Sequence, residues 1–184
     1  AGPGSEAARM YAMYTKCNPY ASVYMIFPTE SAGAKATGTI TFATTAATNG
    51  TARVFVGYEF VDVAITVGDT ATTIAANVVT AINAKTSWPV TATSALGVVT
   101  ITAKQKGLRG NWLRYNVTMY GNGISTTVTP TTPTNMSGGT TADSWAAALA
   151  TIKPDRYYYI ISADYGGQSA TGLAALVTQV NLQA

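Results

Sequence analysis

The stretch KQKGLRGNW places Lys104, Lys106 and Arg109 within a few residues of Trp112, with Arg114 and Tyr115 just beyond. Cations interleaved with aromatic rings are the residue types that neutralise phosphate and stack on bases, so the stretch is a candidate nucleic-acid contact. The same residues also read as a corner: Gly107 and Gly110 bracket a turn between two strands, and Lys or Arg at strand edges discourages unwanted pairing. A net charge of +3, from 11 basic and 8 acidic residues, is too small to steer a polyanion over the whole molecule. The corner is the preferred reading, and no direct nucleic-acid partner is expected.

Other candidate chemistry is sparser. GGQSATG, Gly166 to Gly172, follows an apparent strand and leads into a helix, where backbone N–H groups can hold phosphate. It lacks both the Lys-Ser/Thr ending of a phosphate loop and the three-glycine dinucleotide spacing, so a plain strand-to-helix turn is preferred. Glu59 and Asp62 fall on opposite faces of a strand and cannot act as an acid–base pair, while Asp143, Asp155 and Asp164 lie on separate elements. Asp143 reads as a helix cap and Asp164 as a strand-end residue. With no histidine and one cysteine, Ser-His-Asp triads, Cys-His nucleophiles, His- or Cys-built zinc sites and internal disulfides are excluded. Cys17, near the end of a helix, is expected to be a small buried apolar residue. Asn49, Asn116 and Asn135 match the glycosylation pattern, which matters only in a secretory pathway the sequence gives no sign of. No catalytic, cofactor-binding or metal-ligating residue, and no cofactor, is expected.

The elements that would position these residues can be read from periodicity. SEAARMYAMYTKCNP places Ala8, Tyr11, Ala12 and Met13 at helical spacing behind Ser5, with a stop at Asn18-Pro19. SVYMIF, Ser22 to Phe27, has the continuous apolar character of a strand covered on both faces. From Ala36 the texture changes to Thr alternating with aliphatic residues in TGTITFA, then Asn49-Gly50 as a turn, then TARVFVG and EFVDVAITV, the strands of a meander. Asp69 is expected to cap a helix over TATTIAANVVTAINA, whose Ile74, Val78, Ala81 and Ile82 form one apolar stripe that must lie on the sheet. VTATSA, GVVTITAK and WLRYNVTMY resume the strand pattern, and a Thr- and Pro-rich passage over 125–134 closes the region. ADSWAAALATI, RYYYIISA and SATGLAALVTQVNL then alternate helix, strand and helix, which implies parallel pairing of SVYMIF with YYYIIS in a helix-flanked sheet.

A chain of 184 residues with 47% hydrophobic content can bury one core, or two small ones sharing a boundary. Charged residues make up 10%, against about 25% in an average domain, so the surface is mostly neutral and suits packing against neighbours. No apolar run approaches the ~20 residues that cross a bilayer and no secretory leader is seen, so no membrane partner is expected. The 11 tyrosines, Tyr157, Tyr158 and Tyr159 among them, exceed what a core needs; packing on both sheet faces and anchoring of a subunit interface both remain open.

GPGSEAARM, ATGTITFA, VGDTATTIAANVVTAINA, PVTAT, GVVTITAKQKGLRGN and MSGGTTAD occur here in the order in which they occur in tail sheath proteins of Mu-like contractile phages, and over nearly its whole length the chain resembles that family. The resemblance implies a non-enzymatic structural subunit of the virion, assembled in the host cytoplasm as stacked hexameric rings around the tail tube and shifting from an extended to a contracted array during DNA delivery. Other sheath subunits, the tail tube and the baseplate are the implied partners. It also implies linking arms and a tube-facing region outside this chain, so a fragment is expected, one that stays monomeric alone. The expected fold class is α+β with α/β character: a small helix-flanked sheet scaffold, residues 1–35 and 135–184, carrying an inserted β-rich domain, residues 36–134, in the order ββ-β-α-βββ. Residues expected at subunit contacts are Lys104, Lys106, Arg109, Trp112, Tyr157 and Tyr159. The rival readings are a surface- or carbohydrate-binding β module, from the Thr-rich strands and exposed aromatics, and a nucleotide-binding enzyme using Gly166 to Gly172.

Overall fold

The computed structural model describes residues 5–20, 25, 27, 29–121, 127–145 and 147 of the chain. It is an α+β fold in the expected order, with strands β1 (Lys35–Phe42), β2 (Gly50–Val56) and β3 (Glu59–Ile65), helix α2 (Ala71–Ala84), and strands β4 (Val90–Ala95), β5 (Val98–Lys106) and β6 (Arg114–Tyr120). Helix α1 (Glu6–Cys17) precedes them, and two short strands, β7 (Val128–Thr129) and β8 (Thr134–Asn135), follow. The expected parallel scaffold sheet falls largely outside the described residues: of SVYMIF only Met25 and Phe27 are described, Phe27 being 48% exposed, and YYYIIS is not described at all.

The strands form two antiparallel sheets, ordered β4-β5-β1-β7 and β3-β2-β6-β8. The expected meander therefore holds only for β2 and β3, which make a hairpin pairing Val56 with Glu59 and Gly50 with Ile65. β1 instead pairs with β5, and the chain changes sheets before β2. Asn49 is not a hairpin turn; its side-chain oxygen accepts the Val67 N–H at 2.7 Å and ties that crossing to the end of β3. Local alternation predicts strands well but carries no information on which strand is the partner.

Alternation also decides what is buried. Ala36, Ile40 and Phe42 of β1, Ala52, Val54 and Val56 of β2, Val63 and Ile65 of β3, and Val99, Ile101 and Ala103 of β5 point into one core with Tyr115 and Val117 of β6. Ile74, Val78 and Ile82 of α2 complete it as the stripe predicted, Ala75 joins them, Ala81 of the stripe packs against it only half-buried, and Trp88 fills the turn after the helix at 1% exposure. Fully burying an aliphatic side chain of this kind stabilises a fold by about 1.5–3 kcal/mol. The cap of α2 is Thr70 rather than Asp69: the Thr70 hydroxyl accepts the Thr73 N–H, while the Asp69 carboxylate turns back to the Thr66 N–H at 2.8 Å. Asp69 thus closes the turn before the helix, one residue too early to cap it.

Helix α1 starts as expected, with the Ser5 hydroxyl accepting the Ala8 N–H, and stops at Asn18. Among the described residues none of its side chains is buried, and Cys17 is exposed, not buried as expected. The reason is that α1 lies outside the core; one exposed ion pair, Arg9 to Glu59 at 2.7 Å, links it to β3.

Two edges in the first sheet are closed by individual partners. At β4 the carboxamide of Asn83 on α2 receives the Ala92 N–H and donates to the Ala92 carbonyl, both at 2.9 Å, which is what a neighbouring strand would otherwise do. On the edge of β1 away from β5, Thr37 exchanges backbone hydrogen bonds with Ser137, Thr41 pairs with Thr129 of β7, and between them the Thr39 N–H donates to the Tyr115 hydroxyl at 3.1 Å. The Tyr115 ring lies over Gly38, where a Cβ would meet the ring at 2.5 Å, so a glycine in β1 makes room for an aromatic bridge from the other sheet. Tyr115→Phe is expected to lower stability by about 1 kcal/mol, the cost of a partly buried N–H left without its acceptor, in urea unfolding at unchanged slope.

Candidate functional site

The basic stretch ends β5 and continues as a short 3-10 helix, Leu108–Trp112, before β6 begins. It does turn a corner, and the turn carries the chain from one sheet to the other. Gly107 has φ +93°, a conformation glycine adopts without steric cost. Gly110 is required for a different reason: a Cβ there would stand 2.6 Å from Ala36 Cβ and 3.0 Å from Ala103 Cβ, so close approach to β1 and β5, not backbone angle, demands glycine.

The same turn grips two chain segments that run past each other below the sheets. Residues 29–37 enter and 137–144 leave as an antiparallel pair, bridged at Thr29 with Ser144 and at Thr37 with Ser137. Between these bridges the Ala34 N–H donates to Thr140 Oγ1 at 2.9 Å, and the Thr140 N–H to the Ala34 carbonyl at 3.3 Å. From the turn, the Gly107 N–H reaches the Ala34 carbonyl and the Leu108 N–H the Thr141 carbonyl. The Asn111 carboxamide binds Gly139 in both directions, at 2.8 and 3.0 Å. Asp143 Oδ1 accepts the Ser31 N–H at 2.9 Å, and its Oδ2 lies 3.6 Å from Arg109 Nε, an ion pair beyond hydrogen-bond length. Asp143 is the joint of this neck, and the helix it is expected to cap lies largely outside the described residues; the Asp143 side chain is 9% exposed and that of Arg109 17%, so salt screens the pair less than one at the surface.

Of the residues expected at subunit contacts, the four described ones are placed in different ways. Lys104 donates through Nζ to the Thr86 carbonyl at 2.7 Å, bracing the turn after α2. Lys106 is exposed at the end of β5, with its backbone N–H held by Glu30. Arg109 is half-buried in the neck, and Trp112 projects with 67% exposure. Tyr157 and Tyr159 lie outside the described residues, as do Gly166 to Gly172, Asp155 and Asp164. Glu59 and Asp62 do face opposite ways, each paired with its own arginine, Arg9 and Arg53. Among the described residues no group of three or more Cys, Asp or Glu side chains is placed to hold a metal ion, and no helix is long and apolar enough to cross a membrane.

A feature not foreseen lies on the outer face of the second sheet. Arg53 of β2 forks onto Asp62 of β3, Nε to Oδ1 at 2.7 Å and the terminal nitrogen to Oδ2 at 2.8 Å. Its guanidinium carbon stands 4.1 Å from the Phe60 ring centre and 5.1 Å from that of Tyr120, a diagonal of aromatic, cation and aromatic across three strands. Only the register, which sets Arg53 opposite both Asp62 and Thr118, brings these residues together. The Arg53 hydrogen bonds hold the Asp62 carboxyl below its ordinary value near 3.8. A depressed carboxylate contributes stability that is fully present above that ordinary value and is lost as pH falls through the lower folded midpoint.

No family model matches the chain. Over 163 residues it is 29% identical to the Mu-like prophage FluMu tail sheath protein of Haemophilus influenzae, an alignment that covers 88% of this chain and 33% of that protein. The chain thus spans about a third of the length of the relative it matches, and the resemblance to Mu-like tail sheath proteins read from its motifs is borne out.

Gly110→Ala is expected to cost about 1–3 kcal/mol by overpacking, whereas Trp112→Ala should leave stability within about 0.5 kcal/mol; equal losses in chemical denaturation would contradict the close approach at Gly110. In an NMR titration Asp62 should ionise below the ordinary aspartate range, and Arg53→Met should return its midpoint to that range.

Proposed function

We propose that the chain is part of a structural subunit of a contractile phage tail sheath, which stacks as rings around the tail tube and contracts during DNA delivery. The carrying observation is the similarity to a tail sheath protein across 88% of the chain. Two further features support it. The reading of residues 36–134 as a module inserted between 1–35 and 135–184 draws on the two ends of that stretch, which leave side by side as the antiparallel neck. The surface is sparsely charged, and the Arg53–Asp62 pair on its broad outer face is self-neutralised, which lowers the desolvation cost of contact with another copy. Other sheath subunits, the tube and the baseplate are the proposed partners, the virion tail the proposed location, and no catalytic role is proposed.

The carbohydrate-binding reading draws on the exposed Phe60, Tyr120 and Trp112, but the Arg53 guanidinium already lies over one face of each of the first two rings.

Electron microscopy of the product of the complete reading frame is expected to show rings or tubes, while the 184-residue chain alone sediments as a monomer. A complete product that stays monomeric under all assembly conditions, or binds glycans through Phe60 or Tyr120, would refute the sheath reading.

A further inference from the structure

We propose that the neck is a hinge that opens independently while the β-rich module above it stays folded. The inference rests on the antiparallel crossing of the segments that enter and leave the β-rich region and not on the sheath assignment. Every described member of the hydrophobic core lies between Ala36 and Met136 in sequence. Below that boundary the contacts change character. Residues 29–35 and 137–144 are held to each other and to the turn by backbone hydrogen bonds, by the side chains of Ser31, Thr140 and Asn111, and by the Arg109–Asp143 pair.

Apolar burial makes the module cooperative, because separating its layers exposes the whole core at once. Opening the neck separates no two described members of that core and, among the described apolar groups, uncovers the half-buried Trp145 ring beside Arg109. It exchanges protein hydrogen bonds for water ones, and each such exchange is worth only about 0.5–1.5 kcal/mol. Sub-global openings of this kind are found where backbone hydrogen bonds are not backed by apolar contacts. Since the urea slope follows the surface exposed, the neck should open with a small slope and the module with a large one. Asp143 is the joint whose loss matters most: it holds Ser31 of the entering segment and Arg109 of the turn while itself belonging to the departing segment.

Native-state hydrogen exchange of the 184-residue chain, followed by NMR at rising sub-denaturing urea, tests this. The amides of Thr37, Gly107, Leu108, Ser137 and Gly139 are expected to show protection at least tenfold below those of Ile40, Val54 and Val99, with little urea dependence. Asp143→Ala should lower protection at the neck amides by a further tenfold or more and leave the module amides within about twofold. Neck and module amides of the unmodified chain merging into one opening, with one urea slope, would overturn the proposal. So would an Asp143→Ala protein that loses protection equally throughout or not at all at the neck; should that variant fail to fold, the unmodified chain decides.

Discussion

Thr37, Thr39 and Thr41 of β1 turn backbone groups away from β5, and each meets a partner from a different part of the chain: Ser137 of the departing segment, Tyr115 of the opposite sheet, and Thr129 of β7. An unmet backbone group in a partly buried strand costs as much as a lost hydrogen bond, so this edge must be closed. Closing it by three partners rather than one strand locks the sheets together and brings the exit beside the entrance. The neck, the sheet-to-sheet turn and the glycine under the Tyr115 ring are consequences of that closure.

Much of this was legible in the sequence. The period of two in ATGTITFA and VVTITAK marks buried and exposed residues correctly, and Ile74, Val78 and Ile82 face the core as their spacing requires. Pairing was not legible. β1 and β2 are neighbours in sequence separated by a turn-like Asn-Gly, yet they join different sheets, because the pattern of one strand does not name its partner. The same gap hid the diagonal of Phe60, Arg53 and Tyr120, which depends on register. Asn83 and Asn111 were invisible for another reason. A carboxamide standing in for a strand has no spacing signature, and only the position of Ala92 or Gly139 gives it meaning.

The basic turn illustrates how residue type can mislead. Its cations look available for phosphate, but Lys104 is spent on a carbonyl beyond α2 and Arg109 sits against Asp143. Glycine at 110 lets the turn lie against Ala36 and Ala103, and that proximity lets Asn111 and Arg109 reach the crossing segments. The charge of this region serves architecture, in keeping with a chain in which only 10% of residues are ionised at all.

The amide of Asn83, laid along Ala92, has a bearing on how the molecule behaves in crowded solution. A bare outer strand is a template onto which any extended polypeptide can crystallise, and identical molecules at high local concentration are the readiest to do so, growing into fibres without limit. Filling that position with its own side chain makes β4 a dead end for such growth, so close crowding of many identical molecules need not seed a fibrous deposit there.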